Sequence, residues 1–465
     1  MIVHLKIGFV FLILTVAVTH GALAEPKPTK SYVLTDNMNL REESTTKSKV
    51  VQLMKEGEDF EILDQYKQDD LNSWYLIRTK SGLTGWFCGI YQGRTVFTET
   101  GPITKDILVP NDHTTIGEAI NSASFGDTVY VLPGTYHERI KMKEGINLVS
   151  FAGSDGNDLV DGPGNKKVLK RAVRTIIDGT GIQTPGYLIS FPKDTTAPMR
   201  LDGFTIVNMP KYRTGLNLFL VEIRGCSPEV VNNILAKNRS WGGIISTGLG
   251  VSMGPPLETV ARPIIRDNVI YDYHGPGIAN GPNSAALIVD NEIFDNQFPD
   301  ATDKDPDAPG IGVREYARPV IDNNRCYRNG AGIGGINLDS RDQALIIRNN
   351  ILYDNRRAGI GLRGIGGVKT NIKAVIENNK VYGNLKSGIR LSKIDEVDIM
   401  YNTVFDNRRS GIAVLNVDEA IIEDNEICGN LTAGIRLLNV PSVTLKRNHI
   451  YNNLTAGIDF IGWQK

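Results

Sequence analysis

Three consecutive stretches decide the fold: NKVYGNLKSGIRLSKIDEVDIMY at residues 379–401, NTVFDNRRSGIAVLNVDEAIIED at 402–424 and NEICGNLTAGIRLLNVPSVTLKR at 425–447. Each is 23 residues long, opens on Asn, carries a second Asn five residues later and then a Gly-Ile step. The steps begin at Gly388, Gly411, Gly434 and Gly457. Working backwards, equivalent Asn positions are Asn350, Asn324, Asn291, Asn268 and Asn233, with longer spacings where loops are inserted. A period of this size marks supersecondary units that bury their apolar faces only by stacking on one another.

The residue types follow from that stacking. A coil of this length holds three short strands joined by tight bends, and coils stacked at about 4.8 Å let every strand pair above and below. An Asn turned inward carries both donors and an acceptor, so stacked amides can satisfy one another. Left unpaired, each would cost about 1–3 kcal/mol. The Gly before each Ile is expected to supply a backbone conformation that side chains resist, with Ile filling the core. These positions are read as structural, and the chain from 106 to 465 as a parallel β-helix.

Composition agrees. Lys and Arg total 51 against 52 Asp and Glu, which argues against a dominant nucleic-acid footprint. The 48 glycines suit a turn-rich β chain rather than a helical bundle. Residues 1–24 read as an export signal: Lys6, an apolar run from Ile7 to Val18, and Ala22-Leu23-Ala24 before Glu25. A secreted or periplasmic chain without a membrane span is therefore expected. Cys88, Cys226, Cys326 and Cys428 form no CxxC pair, and four coils, about 19 Å, separate the last two. They are expected to be free thiols.

Two resemblances sharpen this reading. Within residues 31–98, Asn39-Leu40-Arg41, Ser48-Lys49-Val50, Gly57, Trp74-Tyr75, Gly82, Thr84-Gly85-Trp86 and Tyr91 resemble the bacterial SH3-like family. That resemblance implies a small β-barrel, which in this family often binds peptidoglycan or cell-wall peptide. From residue 106 the chain resembles the pectin-lyase-like right-handed parallel β-helix superfamily. The resemblance rests on the capping box Thr115-Ile116-Gly117-Glu118, Gly126 to Tyr136, Thr175 to Gly179, Leu201 to Ile206 and the repeats. It implies an all-β chain, a right-handed parallel β-helix preceded by an SH3-like barrel, with a helix covering the open first coil. The carbohydrate-binding and sugar-hydrolase repeats are the most similar, implying a polysaccharide partner.

Candidate chemistry comes from the register. Alternation along the strand after each Gly-Ile step points one set of side chains outward. Taking Gly335-Ile336 as the step of its coil, one outward column reads Gly312, Asn337, Gly361, Arg390, Ala413, Arg436 and Asp459, and the next Arg314, Asp339, Arg363, Ser392, Leu415 and Leu438. A uronate lyase or epimerase must neutralise a sugar carboxylate, abstract the neighbouring proton and supply an acid. Arg314 and Arg363 are assigned the first role, His274 the second, Tyr316 the third, with Asp339 orienting an arginine and Asn337 and Arg390 binding substrate. Asp272 and His274 match two positions of the Asp-Pro-His-Asp motif of alginate epimerases; Tyr273 and Gly275 hold the other two. The acidic loop with Asp300, Asp303, Asp305 and Asp307 has the ligand type for Ca²⁺.

An aromatic column, Tyr271, Phe294, Tyr327, Tyr353, Tyr382, Phe405 and Tyr451, is open to two roles, sugar stacking or sheet stabilisation. Two alternatives to carbohydrate modification stand beside it. One is a non-catalytic envelope adhesion scaffold. The other is a periplasmic accessory protein resembling the β-helix maturation proteins of nitrous oxide reductase.

Overall fold

The computed structural model describes residues 30–33, 38–43, 47–54, 59–67, 73–91, 94–95, 97–100, 105–184, 186–208, 219–238, 242–248, 260–296, 308–338, 344–365 and 372–462. The export signal and the acidic loop read from sequence lie outside these residues. Two compact units divide at residues 103 and 104. Among the described residues no helix is long and apolar enough to cross a membrane.

The first unit is an antiparallel sheet running from Lys30–Val33 to Phe97–Thr100. Leu40, Met54, Phe60, Tyr75, Ile77 and Phe87 form its core. Gly85 is required by space: a β-carbon there would lie 2.8 Å from Leu40 Cγ and 2.9 Å from the Arg41 carbonyl.

The second unit is a parallel β-helix of three sheets with 13, 12 and 12 strands. Sheet I runs from Asp106–Val109 to Ser442–Lys446, sheet II from Gly134–Tyr136 to His449–Tyr451, and sheet III from Ile140–Lys141 to Ala456–Ile461. One coil visits the three in turn, as in Lys373–Glu377, Lys380–Tyr382 and Ile389–Ser392. In this coil each strand ends on a left-handed residue that makes the bend: Asn378, Gly383 and Lys393. Asn and Asp dominate these positions along the chain because they tolerate that conformation. Ile, Val and Leu fill a continuous core from Ile107 to Val440.

Helix α1 (Ile116–Ser122) opens with the anticipated capping box between Thr115 and Glu118 and contributes Ile116, Ala119 and Ile120 to that core. Glu138 adds a second cap, accepting from the Ile116 and Gly117 amides at 2.9 Å each.

Two buried asparagine ladders run up the helix. The first, at the corner between sheets I and II, links Asn233, Asn268, Asn291, Asn324, Asn350, Asn379, Asn402, Asn425 and Asn448. The second, between sheets II and III, runs from Asn296 through Asn329, Asn355, Asn384, Asn407 and Asn430 to Asn453. Within the first ladder, Asn379 shows how an amide is used. Asn379 Nδ2 donates to the Ile347 carbonyl at 2.9 Å and to Asn402 Oδ1 at 3.0 Å. Its own Oδ1 accepts from the Asn350 backbone and side chain at 2.9 and 3.0 Å.

The Gly of the Gly-Ile step has a different cause from the one expected. Gly388, Gly411 and Gly434 do not adopt left-handed backbone; they lack room. A β-carbon on Gly411 would sit 2.6 Å from Ile427 Cγ2, 2.8 Å from Asn430 Nδ2 and 2.9 Å from the Gly434 carbonyl. Close approach of stacked corners, not φ, selects glycine here.

An insertion not visible in the repeat pattern folds back over sheet II. It contains the hairpin Leu159–Asp161 and Lys167–Leu169 and helix α2 (Lys170–Arg174). Val168 and Ala172 pack on Ile234, Val269, Phe294 and Tyr327. Arg171, 5% exposed, anchors it: Nη2 donates to Asp202 Oδ1 at 2.7 Å and Nη1 to Ser150 Oγ and the Asp202 carbonyl at 2.9 Å each. Burial works to raise the Asp202 carboxyl, but hydrogen bonds from Asn232 and the Arg171 and Arg200 guanidiniums outweigh it and hold the group below its ordinary range.

Two tests follow from these contacts. Asn379→Ala removes the acceptor of the Asn350 backbone N–H and the side-chain donor to the Ile347 carbonyl inside the core, and lowers stability by about 2–3 kcal/mol, read as a denaturant midpoint shift. Asp202 has a folded pKa below its unfolded value of about 3.9, so its stabilisation is present above pH 4 and disappears as pH falls through the folded value. Asp202→Asn lowers the thermal midpoint at neutral pH and flattens its fall between pH 5 and 2.

Candidate functional site

The outer face of sheet III is where the expected residues converge, and strand pairing decides their neighbours. Ile311 pairs with Ile333 and Gly312 with Gly334, which in turn pairs with Gly361. The first outward column is therefore Ala279, Gly312, Gly334, Gly361, Arg390, Ala413, Arg436 and Asp459. Asn337 does not belong to it. The corner of that coil uses Gly332-Ile333, three residues before the Gly335-Ile336 step read from sequence. Asn337 instead has φ +52° and occupies the bend that Glu315, Lys393, Asn416 and Asn439 occupy in other coils.

The second outward column shifts with it. Arg314 pairs with Ile336, not Asp339. Asp339 lies outside the described residues, but its predecessor Leu338 already stands opposite Gly364, past Arg363. Arg314 and Arg363 are thus two stacking steps apart, about 10 Å, with exposed Ile336 between them. Both arginines are exposed, and among the described residues neither has a carboxylate partner.

Tyr316 follows Arg314 by two residues in the bend from sheet III to sheet I and is half-buried. His274 sits on the other edge of the sheet, in the corner before Ile278. Arg314 is level with position 281, seven residues and a corner away. The structure brings Tyr316 to Arg314 and keeps His274 apart from both.

Between these edges lies a feature that sequence reading missed. Ala279, Gly312, Gly334 and Gly361 on four successive coils leave the face almost without side chains, bordered on the corner side by Pro276, Pro309, Ala331 and Ala358. At Gly361 a β-carbon would meet only Ala358 Cβ at 3.5 Å, an ordinary contact, and its backbone is not left-handed. One coil later the same column carries Arg390, so the fold accepts a long side chain there. At Gly361 the glycine is not demanded by packing and exposes backbone to whatever lies in the trough, whereas at Gly334 and Gly312 a β-carbon would press on the Pro309 ring at 3.0 and 3.3 Å. The recurrence of Gly in this column was a signal in the sequence, hidden by the three-residue register error.

The aromatic column resolves in favour of stabilisation. Tyr271, Phe294, Tyr327, Tyr353, Tyr382 and Phe405 stack face to face, with centroids 4.8–5.0 Å apart and ring planes within 11°. Each interior ring spends both faces on its neighbours, so only edges reach solvent. The insertion covers the first part of the stack, where Asn165 N–H and the Tyr327 hydroxyl both donate to Glu292 Oε1 at 2.7 Å. Lys380 lies over the Tyr382 and Phe405 rings at 5.6 and 5.7 Å.

All four cysteines are free thiols, three of them buried. Burial pushes the Cys226 thiol up to about 11. Among the described residues no three His, Cys, Asp or Glu side chains group as a metal site. For the stack, Tyr382→Ala is expected to cost about 1–2 kcal/mol in thermal or chemical unfolding while leaving any ligand affinity of sheet III unchanged.

Comparisons with known proteins bear on this architecture. The bacterial SH3 domain family matches residues 36–87. Among solved structures, the A-module of the mannuronan C-5 epimerase AlgE4 from Azotobacter vinelandii superposes with a TM-score of 0.52 at 17% identity, over 75% of this chain and 91% of its own. The Dettilon tailspike protein gp208 gives 0.54 at 14% identity, over 76% and 68%. At such identities the likeness concerns the fold. No curated protein matches the sequence. The family described as right handed beta helix region matches residues 219–372 and 334–464, together more than half of the chain, in agreement with the stacked coils and their two asparagine ladders. The chain belongs to this right-handed β-helix family.

Proposed function

We propose that the protein is an exported envelope β-helix that binds a uronate-bearing polysaccharide along the outer face of sheet III. The observation that carries this reading is the trough over Ala279, Gly312, Gly334 and Gly361, flanked by Arg314 and Arg363, which have no carboxylate partner among the described residues. A sugar ring can approach bare backbone closely, and exposed guanidiniums suit carboxylates on separate units of a polymer. The Azotobacter A-module with the similar fold is named for its action on mannuronan, which is consistent with this choice of glycan.

The same edges suggest which activity to test. Arg314 or Arg363 would stabilise the carboxylate when the proton beside it is removed. His274 from the corner edge and Tyr316 from the arginine edge would take and return that proton on opposite faces of the ring, as epimerisation requires; lyase chemistry would use the same base. Asp300, Asp303, Asp305 and Asp307 are the candidate Ca²⁺ ligands, and Asp339 a candidate partner for an arginine. The separation of His274 from Arg314 favours, as second reading, a scaffold that binds without turnover. The SH3-like unit would hold the protein to peptidoglycan or cell-wall peptide.

The test uses purified protein with a polyuronate panel, with and without Ca²⁺, following binding, unsaturated-uronate absorbance and epimer ratio by NMR. Gly361→Trp fills the trough, and Arg314→Ala/Arg363→Ala removes its charges. Both are expected to fold normally and to lose binding by about tenfold or more. Equal affinity in wild type and both variants would rule out this face.

A further inference from the structure

Several basic residues of this β-helix are neutralised by an acid one coil away. Arg328 pairs with Asp295, Arg348 with Asp322, Lys373 with Asp398, Arg436 with Asp459 and Arg447 with Asp424, at 2.7–3.0 Å. One corner instead gathers several cations side by side. At the corner between sheets II and III, Lys386 N–H donates to the Arg357 carbonyl at 3.1 Å and Arg409 N–H to the Lys386 carbonyl at 3.2 Å. Arg357, Lys386 and Arg409 therefore occupy one position on three successive coils, about 4.8 Å apart. Arg408 precedes Arg409, and Arg390 follows on the adjoining face.

Among the described residues, Lys386, Arg390, Arg408 and Arg409 have no carboxylate partner. The nearest acids at this corner, Asp354 and Asp406, are turned toward Gly383 and Gly429. The crowding has an electrostatic signature: partial burial, then the charge of Arg409, push the Arg390 guanidinium below the usual arginine range. Like charges stacked at this spacing repel, and at Arg348 and Arg436 an acid on the adjacent coil relieves that repulsion.

We infer that Lys386, Arg390, Arg408 and Arg409 form a second anion-binding strip, continuous with the trough through the Gly361–Arg390 pairing, which takes the distal charged units of a long polyanionic glycan. The inference rests on the polysaccharide reading above and deepens it, specifying that the ligand is anionic along its length and lies along the helix axis. Nucleic acid fits less well. The net charge is −1, and the aromatic faces that bases would stack on are consumed within the sheet II ladder.

The experiment measures affinity of the full chain for short and long oligouronates, a neutral glucan and single-stranded DNA, each at low and high salt. The variant Lys386→Ala/Arg408→Ala/Arg409→Ala is compared with Gly361→Trp, and circular dichroism confirms that both fold. The strip predicts that the triple variant binds long oligouronate about tenfold more weakly and with less salt dependence, while short oligouronate is unaffected. Unchanged binding of the long oligomer by the triple variant would overturn the strip. If Gly361→Trp still abolished binding, the polysaccharide reading would survive that result. Equal affinity for the neutral glucan, or preference for DNA that the triple variant loses, would also overturn the inference.

Discussion

A buried asparagine amide inside a stack of strands is the interaction on which the rest depends. Its two N–H groups and its oxygen must all be paired in a region without water, and only an identical amide one coil away, plus a bent backbone carbonyl, meets that demand repeatedly. Asn350, Asn379 and Asn402 show the consequence: each takes its acceptor from the next coil and offers its own to the previous one. The corner is therefore held to one geometry, and the period between ladder positions is 23 residues wherever nothing is inserted. The described extra chain, the hairpin and helix between Leu159 and Arg174, lies outside the ladder positions and over sheet II.

Strand register follows from that constraint, and register decides which outward residues become neighbours. Much of the fold was legible because each structural demand leaves a residue type behind: Asn for the buried amide, Ile for the core, Gly for the crowded corner. The site was legible only in part. At Ala331 to Ile336 the chain offers Gly332-Ile333 and Gly335-Ile336, and local pattern does not choose between them. The second ladder does: Asn355, Asn384, Asn407 and Asn430 stand four residues before their corner glycines, and Asn329 stands three before Gly332 but six before Gly335. Weighing that column would have placed Gly334 beside Gly312 and Gly361 and assigned Asn337 to a bend. The insertion around Arg171 left no periodic trace, because its contacts with Asp202 and Phe294 are single tertiary events.

Two kinds of glycine on the same strands separate structure from surface. Gly411 and Gly388 cannot hold a β-carbon because the next coil's glycine carbonyl and an asparagine amide already fill the space. Gly361 could hold one with no more than ordinary contact, and its partner in the next coil is an arginine. Composition alone cannot tell these apart; the distances can. The first kind accounts for the fold, while the second requires an explanation outside it, and a bare strip of backbone beside exposed arginines points to a ligand.

The same logic applies to charge. In a β-helix every outward side chain is repeated at about the strand spacing, so a column of like charges is penalised and a neighbouring acid relieves it. Arg436 over Asp459 and Arg348 over Asp322 show the relief in place. Where it is missing, around Lys386, Arg390 and Arg409, the folded chain carries a repulsion that its own architecture could have removed by one substitution in an adjacent coil. Exposed pairs contribute little to stability, so such gaps are tolerated elsewhere too, as where Arg262 faces Arg318. Four cations gathered on the corner that adjoins the glycine trough are the arrangement from which the anion-binding strip is inferred.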